Sequence, residues 1–222
     1  MSKYFEILTD CPLFSGISAS EIEIALSCMC ASVRQYAKDT TILNEGDPAD
    51  YIGIVLSGSV RITRTDIFGN RSILAKAGPM DVFGEALACA DTAVMPVDVV
   101  AAEETSAVLI SAARIAKTCA NACVFHSRMI VNLLHIVASK NIMMNRKLEV
   151  TSKRSTRDKL LTYLMIQAKT AGGDTFTIPF DRQELADYLE VDRSGLSVEI
   201  SRLRREGIIE NYRSDFTILK GD

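Results

Sequence analysis

The 222-residue sequence predicts an α+β chain with an N-terminal β sandwich or barrel, a long helix and a C-terminal winged helix-turn-helix domain. Three observations indicate this fold class. Short β-branched runs separated by glycines fill the first half, neither glycine nor proline occurs from Val97 to Ala171, and two short helical patterns flank a tight turn near residue 190. We therefore expect a β domain at 1–118, a long helix at 119–151 and the winged domain at 152–222.

Composition favours an ordinary globular protein. Hydrophobic residues make up 48% and charged residues 24% of the chain, which argues against disorder and collagen-like repeats. The longest stretch without an acidic or basic residue, Met129 to Ser139, is far shorter than the roughly 20 apolar residues that span a bilayer. Glu6 and Asp10 interrupt the segment that a secretion signal would need to keep apolar. We expect a cytoplasmic protein with no membrane partner.

Cysteine and histidine usage predicts no metal site and no catalytic site. The chain has six cysteines and two histidines, His126 and His135. In a cytoplasmic protein, cysteines are expected to be reduced thiols. Two pairs lie close in sequence, Cys28 with Cys30 and Cys119 with Cys123. Neither spacing is typical of a metal site, and so few histidines leave little for Ser-His catalysis, so we do not expect an enzyme.

The first domain carries the pattern of an antiparallel β protein, preceded by a helix near Ala19 to Cys28. Glycines separate short runs that favour strands, with Gly69-Asn70 as the expected hairpin tip. After Pro96 the run VDVVAAEETSAVLI predicts two further strands. The earlier strand-forming runs are TTIL, YIGIVL, SVRITRT and RSILAK.

The long helix carries a heptad seam. Its members recur at alternating spacings of three and four: Ser127, Ile130, Leu134, Val137, Asn141, Met144 and Leu148. One polar Asn within an apolar seam is typical of a parallel two-helix coiled coil. The alternative is a helix packed on its own β domain, and both can hold on different faces. The polar segment from Lys147 to Lys159 breaks the seam and predicts a hinge, after which Ser155 caps a new helix with Asp158.

The C-terminal segment carries the helix-turn-helix pattern. Asp181 and Glu184 form a capping box, which predicts a helix from Arg182 to about Leu189. Asp192 can cap a second helix, which Gly207 ends. An apolar stripe at helical spacing, formed by Leu196, Ile200 and Leu203, faces the core of the domain. The run IIENYRSDFTIL then predicts two strands around Arg213 to Asp215, which form the wing.

Charge points to the second of these helices. The whole net charge of −3 falls on residues 1–150, and residues 151–222 are balanced. Four arginines nevertheless lie between Arg193 and Arg205, against Glu199 alone. Opposite the apolar stripe, the helix presents Ser194, Val198, Ser201 and Arg205, flanked by Arg193 and Ser197. Such a face is suited to a DNA groove. The alternative is a solvated face of a protein-interaction domain.

Three segments stand out, in this order along the chain: EGDPADYIGIVLSGSVRI, DVFGEALA and RQELADYL…DRSGLSVEISRLRREGII. With these segments the chain resembles the cyclic AMP receptor protein/fumarate-nitrate regulator (Crp/Fnr) family of bacterial transcription regulators. The resemblance implies a double-stranded β-helix (jelly-roll) sensor domain, a dimerisation helix and a winged helix-turn-helix domain. It further implies an effector-controlled homodimer that binds a two-fold symmetric double-stranded DNA operator and works with RNA polymerase.

By the same resemblance, eight residues form the DNA-binding site. Five face the groove, namely Arg193, Ser194, Ser197, Val198 and Ser201, and three contact phosphates, namely Arg182, Gln183 and Arg202. Many relatives have an arginine that reads guanine where this chain has Val198. Since valine can only contact a thymine methyl group, we expect an operator that differs at that base and is A·T-rich. Glu190 stands where relatives often have the turn glycine, and a positive φ there would store strain.

The effector pocket departs from the family pattern. In members that bind cyclic nucleotides, an Arg-Ser or Arg-Thr pair after the FGE cassette holds the cyclic phosphate. Here Met95-Pro96 stands at that place, and Met144-Asn145 aligns with the polar pair that contacts the purine. We therefore expect no cyclic AMP and leave the cofactor unknown. The candidate pocket comprises Gly84, Glu85, Ala86, Met95, Pro96 and Met144, for a small, weakly polar effector or no ligand at all.

Other functions stay open as alternatives. Haem could bind through His126, His135 or a cysteine thiolate. The spacing of Cys11, Cys28 and Cys30 does not match an iron–sulfur cluster of the family. A cupin-like metalloenzyme would need histidines on its strands, and both histidines follow the β region. A regulatory module that binds cyclic nucleotides without DNA would not need the wing.

Overall fold

The computed structural model describes residues 4–90, 94–116 and 124–219. The chain divides into two compact units, Met1–Phe68 with Leu74–Lys140 and Gly69–Ile73 with Asn141–Asp222. The candidate thiol pair Cys119 and Cys123 lies outside the described residues.

Short helices precede the β domain. Helix α1 covers Phe5–Asp10, a 3₁₀ turn follows at Pro12–Phe14, and α2 covers Ala19–Cys28, as expected. A capping box between Ser18 and Glu21 begins α2, with the Ser18 amide donating to the Glu21 carboxylate at 2.9 Å. Apolar side chains of these helices, such as Leu8 and Ile22, pack with strand residues such as Ile52 and Ile110 in one hydrophobic cluster of the first unit, here called the first core.

Two antiparallel sheets form the β domain, which confirms the jelly-roll prediction. One sheet has the strand order β1-β8-β3-β6 and the other has the order β2-β7-β4-β5. The strands are β1 Ser32–Tyr36, β2 Thr41–Leu43, β3 Tyr51–Ser57, β4 Val60–Thr65, β5 Arg71–Ala77, β6 Val82–Phe83, β7 Asp98–Ala101 and β8 Thr105–Ser111. Short helices α3 (Glu85–Cys89) and α4 (Ala112–Ala116) follow β6 and β8.

Two strands and one turn differ from the sequence prediction. Strand β1 was not predicted because its polar residues outnumber its apolar ones, and β6 is only two residues long. The β4–β5 turn lies at Ile67 and Phe68 rather than at Gly69-Asn70. Gly69 follows the turn with φ +82°, a value that favours glycine.

Helix α5 covers Val124–Thr151 and has two distinct faces. Phe125, Met129 and Leu133 are buried in the first core, and the Asn132 amide donates to the backbone carbonyls of Leu13 and Ser15 at 3.0 and 2.9 Å. The alternative of a helix packed on its own β domain is therefore confirmed for this face. Four apolar seam residues are exposed on another face, with relative exposures of 42% for Ile130, 66% for Leu134, 46% for Met144 and 65% for Leu148.

The break between the long helix and the winged domain is shorter than predicted. Helix α5 continues through Lys147 to Thr151, and only Ser152–Ser155 are non-helical. The break thus lies inside the predicted hinge segment, while Lys147 at the start of that segment belongs to α5 and is buried, with its ammonium 4.9 Å from the ring centroid of Tyr188. Ser155 caps the next helix as predicted, since its hydroxyl accepts from the Asp158 amide.

The second unit contains the C-terminal part of α5, the start of β5, and a winged domain of three helices with a small sheet. Its core contains the apolar stripe of the predicted recognition helix, with Leu196 and Leu203 fully buried. The predicted bounds of both helix-turn-helix helices are confirmed, and β9 was not predicted because only one apolar residue lies on it. The elements are α6 Thr156–Ala171, β9 Thr175–Thr177, α7 Arg182–Leu189, α8 Arg193–Arg205, β10 Ile209–Tyr212 and β11 Asp215–Ile218, with sheet order β10-β11-β9.

Close packing at Gly53 supplies a test of the β domain. A Cβ atom at Gly53 would lie 2.0 Å from the Phe83 ring, so the buried ring would have to move. We expect Gly53→Ala to lower the free energy of unfolding by about 1–3 kcal/mol, as overpacking does. Gly173→Ala is the matched control, because nothing lies within 4 Å of its Cβ position. Urea denaturation measures both, and equal midpoints for the two variants would contradict the packing seen at Gly53.

Candidate nucleic-acid interface and effector pocket

The turn between α7 and α8 is built by capping groups. Asp181 and Glu184 form the predicted box at the start of α7. At its other end, Glu190 adopts φ +55°, as the sequence suggested, which stores about 1–2 kcal/mol of strain. The Lys159 ammonium donates to the backbone carbonyls of Leu189 and Glu190 at 3.1 and 3.2 Å. These bonds satisfy the end of α7 and stabilise the strained turn.

Asp192 begins the recognition helix α8. Its carboxylate accepts from the Gly195 amide at 2.9 Å and from the Ser194 hydroxyl. The hydrogen bond from Ser194, followed by that from the Gly195 amide, lowers the pKa of Asp192. A carboxylate that stays ionised at a helix N-terminus also interacts favourably with the helix dipole. The N-terminal turn of α8 is thereby held in a defined orientation.

The predicted groove-facing residues lie on one surface of α8. Arg193, Ser194, Val198 and Ser201 are exposed, Val198 at 65%, and Ser197 is half-buried. The apolar stripe on the other side of the helix is buried. The structure therefore brings these five residues together.

The serine hydroxyls of α8 already donate within the protein. The Ser197 hydroxyl donates to the Arg193 carbonyl and the Ser201 hydroxyl to the Ser197 carbonyl, both at 2.9 Å. Ser194 donates to Asp192. A hydroxyl has one proton and two lone pairs, so in this arrangement each serine offers only an acceptor. Acceptors suit the exocyclic amino groups of adenine and cytosine in the major groove.

The three predicted phosphate-binding residues differ in their surroundings. Nη1 of Arg182 is buried without a hydrogen-bond partner among the described residues. Burial, and next the charge of Arg193, lowers the pKa of Arg182. Such a guanidinium is suited to an incoming anion. Gln183 donates to Asp187 at 2.7 Å, and Arg202 donates to Glu206 at 3.0 Å, so both already have intramolecular partners.

A groove of about 700 Å³ lies between α8 and the wing, and sequence reasoning missed most of its lining. It contains Arg204 and Arg205 of α8 and Tyr212 of β10. The Arg213 guanidinium lies 5.4 Å from the ring centroid of Tyr212, which is 70% exposed. The cluster of arginines at the end of α8 was the only signal in the sequence, and it does not show that the wing faces that cluster.

The candidate effector pocket centres on a buried carboxylate. Glu85 is 3% exposed, and its Oε1 lies 2.9 Å from the Lys140 ammonium, which also donates to the Val82 carbonyl. Glu85 Oε2 has no partner within the described part of the chain. Gly84 begins α3 with φ +77°, and a Cβ there would lie 2.9 Å from the Tyr51 carbonyl oxygen. Lys140 was not among the predicted pocket residues.

The other predicted pocket residues have different environments. Met95 is 1% exposed and packs in the core of the β domain, while Ala86 and Pro96 are exposed. Met144 belongs to the second unit and is half-exposed. Met95 is therefore a core residue of the β domain.

Two domain profiles match this chain. That of the cyclic nucleotide-binding domain matches residues 33–122, and that of the Crp-like helix-turn-helix domain matches residues 158–222. The chain belongs to the Crp/Fnr family. Crp/Fnr relatives include the cyclic AMP receptor protein of Thermus thermophilus, which is 28% identical over 199 aligned residues. The alignment covers 89% of this chain and 88% of the relative. FnrL, a transcriptional activator of Cereibacter sphaeroides, is 23% identical over 79% of this chain and 71% of its own.

Solved Crp/Fnr-type structures show the same fold. CLP of Xanthomonas campestris matches with a TM-score of 0.72 and 20% identity, over 92% of this chain and all of that one. FixK2 of Bradyrhizobium japonicum matches with a TM-score of 0.66 and 24% identity, over 86% and 93%. This Crp/Fnr chain is a DNA-binding transcription regulator with a cyclic nucleotide-binding-like domain.

Within the described residues, 4–90, 94–116 and 124–219, no group of three or more histidine, cysteine, aspartate or glutamate side chains could hold a metal ion. Burial raises the pKa of the Cys11 thiol to about 11, whereas Cys28 and Cys30 are exposed and free. His126 is buried with its ring centroid 4.6 Å from that of Phe125, and His135 is exposed. No helix within those ranges is long and apolar enough to cross a membrane.

Proposed function

We propose that the protein is a homodimeric regulator that places α8 of each subunit in the major groove of a two-fold symmetric operator. The observation that carries this proposal is the exposed polar face of α8 behind a fully buried apolar stripe. Half-sites would lie about one DNA turn apart. The protein would act in the cytoplasm, together with RNA polymerase and without catalysis of its own.

Individual residues have separate roles in this proposal. Arg193 reads a base edge from the N-terminal turn of α8, Val198 contacts a thymine methyl group, and the serines Ser194, Ser197 and Ser201 accept hydrogen bonds. Arg182, Gln183 and Arg202 contact phosphates. The half-buried guanidinium of Arg182 supports its role, because an anion would satisfy its buried Nη1.

Substitution of Arg193 and Arg182 separates base reading from phosphate binding. An operator selected from a random duplex library would be compared with a scrambled duplex by fluorescence anisotropy at several salt concentrations. We expect Arg193→Ala to weaken operator binding by about 1–3 kcal/mol with little effect on the scrambled duplex. Arg182→Ala should weaken both alike and reduce the salt slope by about 0.9 for each half-site. Lys38→Ala, on an exposed lysine of the β domain, is the control for charge. Equal loss on both duplexes would make Arg193 a phosphate contact.

The same selection tests the role of Val198. A valine cannot donate to guanine, so the recovered half-site should lack the guanine that relatives read with arginine at this position and should carry A·T pairs there. Recovery of the usual guanine-containing half-site would show that Val198 does not determine this base.

The exposed seam of α5 supports the homodimer. Large apolar side chains such as Leu134 and Leu148 are about two-thirds exposed in the single chain, which is costly in water. Asn141, also exposed, lies among them at a seam position. A second copy of the same seam would bury these side chains and pair the Asn positions in register.

Charge introduced on the seam should dissociate the dimer. We expect Leu134→Glu to raise the dimer dissociation constant by about 100-fold or more, because like charges facing across an interface cost several kcal/mol. Met165→Glu is the matched control, since Met165 of α6 is 65% exposed but lies outside the seam. Sedimentation equilibrium measures both. A monomeric wild-type protein, or a Leu134→Glu variant that stays dimeric, would contradict the coiled-coil interface.

We propose that the effector is not cyclic AMP, although the Thermus thermophilus relative is named a cyclic AMP receptor protein. Neither Met95 nor Pro96 can neutralise a phosphate, and proline has no amide proton to donate. Met95 also packs in the core, and Lys140 already pairs with Glu85. A small, weakly polar effector, or none, fits these residues better than a cyclic phosphate.

Calorimetry with cyclic AMP tests this proposal. Titration of the full-length protein should give no binding heat, and cyclic AMP should leave the affinity for the selected operator unchanged. The cyclic AMP receptor protein of Thermus thermophilus serves as the positive control. Tight binding of cyclic AMP or cyclic GMP would overturn the proposal without affecting the DNA-binding function.

A further inference from the structure

Glu206 occupies an unusual position at the end of the recognition helix. It is the C-cap of α8, where the helix dipole is negative and a carboxylate is unfavourable. Two arginines offset this effect. Arg157 Nη2 lies 2.5 Å from Glu206 Oε2, and Arg202 Nε lies 3.0 Å from Glu206 Oε1. Each carboxylate oxygen therefore has its own guanidinium.

The two arginines hold Glu206 in different ways. Arg157 lies in the first turn of α6 and also pairs with Glu199 of α8 at 3.1 Å. The Arg157 side chain is 29% exposed and that of Glu199 is 14% exposed. Arg202, by contrast, pairs with one carboxylate among the described residues and has a side chain that is 59% exposed. Arg157 can thus retain Glu206 when Arg202 leaves it.

Arg202 is also the residue to which the proposed function assigns a DNA phosphate. A carboxylate and a phosphate present the same chemistry to a guanidinium, namely anionic oxygens that accept two parallel hydrogen bonds. An arginine that is already paired gains less from a phosphate than a free arginine would.

We propose that Glu206 is an intramolecular substitute for a DNA phosphate, which pairs with Arg202 in the free protein and yields it to the operator backbone on binding. Arg157 is the positioning residue that keeps Glu206 in place. This inference rests on the proposed function. Because the exchange is independent of sequence, it lowers the affinity for all DNA and leaves base reading to the N-terminal half of α8.

Salt dependence gives the exchange a measurable signature. Each phosphate neutralised by a free cation adds about 0.9 to the slope of log affinity against log salt. In the wild-type protein Arg202 should add much less than this, because it exchanges one anion for another. Once Glu206 loses its charge, Arg202 should add the full amount for each recognition helix.

The test is a double-mutant cycle on the full-length protein. The four proteins are wild type, Glu206→Gln, Arg202→Gln and the double variant, each titrated with a scrambled duplex and the selected operator between about 50 and 200 mM KCl. Glu206→Gln should bind both duplexes more tightly. The ratio of the DNA affinity of Glu206→Gln to that of the wild type should grow by about 3-fold per recognition helix from the highest to the lowest salt concentration. Glu104→Gln, on an exposed acid of the β domain, is the control for net charge.

The gain in DNA affinity caused by Glu206→Gln should depend entirely on Arg202. Arg202→Gln should therefore change the salt dependence of binding little in the wild-type background and should remove this gain in the Glu206→Gln background. A gain that survives in the double variant would assign it to general charge and overturn the proposal. Arg202→Gln measured alone keeps the proposal testable if Glu206→Gln does not fold, because a full loss of about 0.9 per helix would contradict it. Failure of the wild-type protein to bind any duplex would instead contradict the proposed function.

Discussion

Burial of one side of α8 is the constraint on which the DNA-binding function depends. Leu196, Ile200 and Leu203 are packed against the rest of the winged domain, so rotation of the helix about its axis would bring polar groups into the core. The opposite side of the helix is thereby directed outward. Capping by Asp192 and the strained turn at Glu190 then set where the helix begins. Packing supplies the orientation, and the exposed side chains supply the chemistry.

The long helix shows how one element serves two surfaces. A helix has room for two apolar stripes, and α5 uses one of them to pack on the β domain through Phe125, Met129 and Leu133. The seam that contains Leu134 and Leu148 stays exposed. The two interpretations of its periodicity are therefore compatible. In the proposed homodimer, this helix would connect the β domain of one subunit to the partner subunit.

Two basic side chains hold partly or fully buried acids in the fold. In the β domain, Met95 is buried, and Glu85 pairs with Lys140. Because a buried carboxylate without a cation would be costly, the ion pair of Lys140 with Glu85 stabilises the folded domain. In the winged domain Arg157 plays a comparable part toward Glu199 and Glu206. Lys140 and Arg157 each pair with acids that lie more than 40 positions away in the sequence.

The sequence by itself determined the elements that depend on neighbours along the chain. Helix α2, the capping box at Asp181, the N-cap at Asp192 and the stripe of α8 follow from local periodicity and caps, whose partners lie within one or two turns. Tertiary structure alone decided the pairing of Lys140 with Glu85, the contact of Lys147 with Tyr188, the strand β9, and the pairing of Arg157 with Glu206. These contacts join residues far apart in the chain, and no local pattern encodes which distant partner a charged side chain will meet.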